Sequence, residues 1–193
     1  MKNNILIITI MIISQFAFSE DRRIDTVKDR ANNSLLRISM IKVLAKDNVK
    51  ELGPILLGIM EEPKEEVKTK MAAISAIAEL KYKKGIPMLV DIYSDYRHKL
   101  DYREACLEAL KELIKTISND KDAMLNMGIL LRIRETDEDL INAYLDAFEK
   151  GQYKKDKDVL AVVSSGIRTK NIEIRKKIIS IISESNEQTV LPK

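Results

Sequence analysis

From Ser34 to Ile182 apolar residues recur at steps of three and four, the period of an amphipathic helix, and no useful stretch alternates with period two. The pattern predicts a run of short helices. Asn33-Ser34 caps the first, which ends near Leu44-Ala45, and a second covers about 49–60 with Pro54 in its first turns. Pro63 suits the N1 position of a helix reaching about Leu80, and Pro87 enters one that ends near Tyr96. Asp101 and Glu104 form a capping box for 102–117, and Ser118-Asn119-Asp120 opens 121–134. Thr136 with Asp139 caps 137–150, with Gly151 at its C′ position. Asp156 opens 157–168 and Asn171 opens 172–185. Residues 20–30 read as a lead-in and 186–193 as a frayed polar tail.

The helices repeat. Thr69–Leu80 aligns with Tyr102–Leu113 at a shift of 33, matching Lys70 to Arg103, Ala72 to Ala105, Ile77 to Leu110 and Leu80 to Leu113. A shift of 36 upstream places Ile38, Ile41 and Leu44 on the same apolar positions, and Ile178, Ile179, Ile181 and Ile182 fall on them downstream. The alternate helices repeat as well: ELGPILLGIM (51–60) matches KGIPMLVDIY (84–93), and Lys121-Asp122 matches Lys157-Asp158. The unit is a pair of antiparallel helices, present about four times over 31–185, with one closing helix.

Two segments, Tyr102-Arg103-Glu104-Ala105-Cys106-Leu107-Glu108-Ala109-Leu110 and Gly85-Ile86-Pro87-Met88-Leu89, carry a family likeness. The chain resembles the HEAT-repeat family and its shorter bacterial variants, with a small-residue first helix and a proline-entered second helix. The resemblance implies an all-α fold, a right-handed α-solenoid of about four helix pairs plus a closing helix. It departs from the family in the fourth unit, which lacks the Arg and the Ala pairs, and in the Gly usual after the first helix, which most units lack. The tetratricopeptide alternative lacks its Trp-Leu-Gly-Tyr signature here.

The N-terminal pattern differs. Residues 1–19 hold Lys2, an apolar stretch from Ile5 to Ile13 broken by Thr9, and small residues Ala17 and Ser19. That is the pattern of a secretory signal cleaved near Ser19-Glu20. The alternative is a retained anchor. A span needs about 20 apolar residues, and the charged run Glu20-Asp21-Arg22-Arg23 follows too soon. The expected destination is the periplasm or the medium.

Composition narrows the function. With 33 Lys+Arg against 30 Asp+Glu, the 193-residue chain is nearly neutral, so nucleic-acid binding driven by whole-chain charge is not expected. One Cys forbids an internal disulfide, and one His leaves too few ligands for a His-rich metal site. His98 sits among cations in Tyr96-Arg97-His98-Lys99, and Cys106 falls in an Ala-rich core stripe, where it reads as a small hydrophobe. The acidic pairs at 61–62 and 65–66 and the run 137–139 stand at helix starts, where they complement the dipole. No cofactor, metal or catalytic site is expected.

Two surfaces remain. Tyr82-Lys83-Lys84 and Tyr153-Lys154-Lys155 are 71 residues apart, two repeat lengths, so they are expected on one basic edge. Arg132 and Arg168 are 36 apart at equivalent ends of successive second helices, where they form a ladder. Both patterns also have a plainer reading, since cations near helix C-termini complement the dipole. The combined expectation is an exported, monomeric, non-enzymatic scaffold that binds a protein or peptide partner in the cell envelope. The alternatives are docking on an anionic envelope surface through the basic edge, and a HEAT-like enzyme of glycosylase or lyase type.

Overall fold

The computed structural model describes residues 22–133 and 136–190, with side chains through Ser185. The expected signal segment, its cleavage site and residues 191–193 lie outside the described residues.

All regular structure among the described residues is helical. The helices are α1 (22–28), α2 (Ser34–Lys46), α3 (Leu52–Glu61), α4 (Val67–Glu79), α5 (Ile86–Ser94), α6 (Leu100–Ile114), α7 (Lys121–Met127), α8 (Glu138–Lys150), α9 (Lys157–Ser165) and α10 (Ile172–Val190). Short 3₁₀ turns cover Lys83–Gly85, Gly128–Arg132 and Gly166–Arg168. No helix among the described residues is long and apolar enough to cross a membrane.

Several helix starts follow the sequence chemistry. The side chains of Asn33, Asp120 and Asp156 accept backbone N–H groups of the first turns of α2, α7 and α9, and Asn171 does the same for α10. Others differ. α4 begins at Val67 after extended Glu66, so Pro63 lies in the preceding turn and not at N1. α6 begins at Leu100 after Lys99, which leaves Asp101 inside the first turn and forms no capping box. α8 is capped by Asp137, whose carboxylate accepts the Leu140 N–H at 2.9 Å, while Thr136 donates its hydroxyl to the carbonyls of Leu130 and Ile133. Gly151 ends α8 at φ −83°, outside the left-handed region expected of it. The lead-in is helical at 22–28, and α10 continues past 185 to Val190.

The described residues divide into two compact units, one ending at Leu80 and the other beginning at Lys81. In the first, α2 and α3 both pack on α4 around Ile41, Leu44, Leu52, Leu56, Ile74 and Ile77, all fully buried. Arg37 is buried among them. Its Nε donates to the Val27 carbonyl at 2.9 Å, and its two terminal nitrogens grip Glu65 at 2.8 and 2.9 Å. One side chain thereby ties α1, α2 and the approach to α4 together.

In the second unit α5 packs on α6 and α7, α6 on α8, α7 on α9, α8 on α10 and α9 on α10. Its core is built from residues such as Ile86, Leu89, Leu110, Leu113, Tyr144, Phe148, Val163 and Ile178. Arg103 repeats the Arg37 device: its Nε donates to the Tyr93 carbonyl at 2.8 Å, again ten residues upstream. Its guanidinium lies 4.2 Å from the Tyr96 ring centroid.

Arg37 and Arg103 are two 33-residue steps apart, and Asn48 (φ 57°) and Lys81 (φ 53°) are one step apart just beyond α2 and α4. The geometry therefore carries the 33-residue shift upstream, where apolar matching alone suggests 36. Asn48 and Lys81 also stand in the left-handed position where glycine commonly ends a helix.

Candidate functional site

The site with the clearest geometry is made by two similar helix ends. α7 and α9 each open on an aspartate cap and close by tightening into a 3₁₀ turn that starts at a glycine and ends at an arginine, Arg132 or Arg168. The glycines are required by close packing. A Cβ on Gly128 would stand 2.1 Å from Val162 Cγ1 of α9, and one on Gly166 would stand 2.8 Å from Ile178 Cδ1 of α10. With both turns packed against the following helix, they lie side by side.

Between them is a concavity of about 790 Å³. Arg132, Arg168 and Lys170 supply its charge, Ser164, Ser165 and Thr169 its hydroxyls, and Leu131, Ile133 and Ile167 an apolar wall. Arg132 Nε donates to Ser165 Oγ at 3.1 Å, and that hydroxyl donates to the Val162 carbonyl at 2.6 Å. The guanidinium is thus anchored by one nitrogen. No carboxylate lines the concavity among the described residues, and none of its three cations forms an ion pair there. Ile167 is 41% exposed, a large aliphatic side chain left against water beside Arg168.

The other ends of α7 and α9 are charge-matched. Lys83 pairs with Asp120 at 3.2 Å, and Lys121 bridges Asp156 at 2.8 Å and Asp158 at 2.7 Å. Burial raises the Asp120 pKa, but the Ala123 N–H and Lys83 outweigh it and hold the carboxyl below its ordinary value. The Lys121 hydrogen bond likewise lowers Asp156, and the two aspartates raise Lys121. The same helices therefore present neutralised charge at their starts and open positive charge at their ends.

Arg132 and Arg168 line the same concavity. Residues of the two Tyr-Lys-Lys triplets line different hollows. Tyr82 is half-buried at the start of a 3₁₀ turn, Lys83 is engaged by Asp120, and exposed Lys84 lines a separate hollow with Pro87 and Asp122. Tyr153 is half-buried and accepts a hydrogen bond from Gln152 at 3.2 Å. Lys154 and Lys155 are exposed, and Lys154 lines a small crevice with Phe148, Glu149 and Glu184. Sequence reasoning missed Lys170 and the aliphatic wall. The available signal was the Gly-Ile step shared by Gly128-Ile129 and Gly166-Ile167 at the ends of the two helices.

The reactive residue types lie elsewhere. Cys106 is fully buried, which pushes its thiol up to about 12, and Tyr102 is raised to about 12 mainly by burial. His98 meets the Tyr102 ring edge-on at 5.5 Å. Among the described residues no three His, Cys, Asp or Glu side chains converge as they would around a metal ion.

Compared with family models, with curated proteins and with solved structures, the chain matches none. The HEAT-like resemblance therefore rests on the chain's own residues alone.

Proposed function

We propose that this protein is an exported, non-enzymatic scaffold, a HEAT-like right-handed α-solenoid that binds a protein or peptide partner in the cell envelope as a monomer. The observation that carries the reading is the packing order in the second unit, where α5, α7 and α9 form one series of neighbours and α6, α8 and α10 another. Stacked helix pairs generate that two-layer order, and each pair completes its core only against the next. The paired arginines 37 and 103, each holding a carbonyl ten residues upstream, add a second mark of repetition. A surface assembled from rigid neighbouring helices needs little ordering on binding, which suits recognition of an extended segment.

The pairing of Lys83 with Asp120, and of Lys121 with two aspartates, reduces the free charge on the edge that would dock on an anionic surface. That favours a protein partner over a lipid or polymer surface. The test is affinity capture from envelope fractions with the chain starting at Glu20, followed by titration of the purified candidate. Saturable 1:1 binding that persists at raised ionic strength supports the proposal. Retention only on lipid or wall polymer, lost steeply with salt, overturns it.

A further inference from the structure

Resting on that reading, we infer that the concavity between the ends of α7 and α9 docks an acidic, aliphatic peptide segment of the partner, with a carboxylate on Arg132 and Arg168 and an apolar side chain against Ile167.

Charge selects the acidic residue. Arg132, Arg168 and Lys170 line one concavity whose described lining has no carboxylate, while Lys83 and Lys121 at the opposite ends of the same helices are paired with aspartates. Complementing the helix dipole would be the simplest use of two arginines here. Arginines in that use commonly bond the last carbonyls. Neither does so: Arg132 donates to Ser165 Oγ, and Arg168 has no hydrogen-bond partner among the described residues. Both line the concavity with terminal N–H groups that have no partner among the described residues, the fork that takes a carboxylate in two parallel hydrogen bonds.

Size and polarity select a peptide over a simple anion. A concavity of about 790 Å³ is far larger than one carboxylate or phosphate needs. Its wall carries buried Leu131, half-buried Ile133 and exposed Ile167, and Ile167 above all gains from covering by an aliphatic chain. Thr169 and Ser164 stand beside the cations as hydrogen-bonding groups for a backbone. Anionic lipid would use the charge but would leave no reason for an apolar wall set inside a walled hollow.

The probe is a fluorescein-labelled peptide of alternating Glu and Leu, read by anisotropy against the full mature chain. Comparison peptides carry Gln or Lys in place of Glu, and vesicles of phosphatidylglycerol or phosphatidylcholine test the lipid route. The Glu-Leu peptide binds and the Gln and Lys peptides bind at least about tenfold more weakly. Arg132→Gln with Arg168→Gln weakens the Glu-Leu peptide by about tenfold or more. Arg132→Lys with Arg168→Lys falls between, because charge remains but the fork is lost. Ile167→Ser weakens binding about threefold, while Lys84→Gln with Lys154→Gln leaves it unchanged. Unaltered far-ultraviolet circular dichroism shows that a loss of binding is not unfolding.

Equal binding of the Glu and Gln peptides overturns the inference, as does a double arginine variant that binds normally. Binding of phosphatidylglycerol vesicles without binding of the peptide also overturns it. The captured envelope partner separates this claim from the scaffold reading. If that partner binds the Arg132→Gln, Arg168→Gln chain as tightly as wild type, the scaffold stands and this site falls. If no protein partner binds either chain, both fall.

Discussion

Replacing Glu65 with Leu strands the guanidinium of Arg37. The two side chains are only 5% and 4% exposed, and the carboxylate takes two hydrogen bonds at 2.8 and 2.9 Å. Without it, only the Nε bond to the Val27 carbonyl remains, and a buried positive charge has no counter-charge. Breaking one side of a buried pair costs about 3–5 kcal/mol, far more than an exposed pair is worth. Arg37→Met combined with Glu65→Leu removes both charges and restores stability to within about 1–2 kcal/mol of wild type, the residue being the orphaned Val27 carbonyl. Urea unfolding followed by circular dichroism measures both variants and the coupling between them. A Glu65→Leu change of under about 1 kcal/mol would instead mean that the pair behaves as a solvated one.

The same pair sets a pH dependence. Burial raises the Glu65 pKa, but the hydrogen bonds and charge of Arg37 outweigh it, so the folded value lies below the ordinary 4.5. Between those two values the unfolded chain holds the extra proton. The stabilisation is therefore present above about pH 4.5 and lost as the pH falls through the folded value. The wild type loses more stability than the Glu65→Leu variant over that acidic range.

The remaining predictions concern backbone fit and burial. Gly58→Ala stabilises α3 by about 0.5–1 kcal/mol, because a Cβ there meets nothing within 4 Å, whereas Gly128→Ala destabilises by about 1–3 kcal/mol through its clash with Val162; thermal melts give both signs. Lys81→Gly relieves a left-handed lysine and raises stability by about 0.5–1 kcal/mol in urea titrations. Cys106, buried and with its thiol raised to about 12, reacts with a thiol reagent at neutral pH only as fast as the protein opens, and urea accelerates the reaction sharply.

The helical class is legible in the sequence because the three- and four-residue steps are sustained and because Asn33, Asp120, Asp156 and Asn171 are caps whose local chemistry has no strong rival. Thr136 has such a rival. Its hydroxyl satisfies two upstream carbonyls, and the cap passes to Asp137 one residue later. α1 escapes the pattern because only Ile24 and Val27 of its residues reach the core. Arg37 looks solvent-facing in sequence, since the Glu65 that makes burial tolerable is 28 residues away. The 36-residue spacing of Arg132 and Arg168 is visible in the sequence. The concavity between them depends on two glycines set against Val162 and Ile178, a tertiary fit that no local rule contains.

The proposed protein partner would engage this chain through the end of its α7 and α9 layer. A photo-crosslinking residue placed at Ile167, beside Arg168, tests it most directly in the native envelope fraction. One discrete protein adduct is expected, which disappears when Arg132→Gln and Arg168→Gln are introduced and persists when Lys84→Gln and Lys154→Gln are introduced instead. An adduct indifferent to the arginines, or crosslinking to lipid and wall polymer alone, would contradict it.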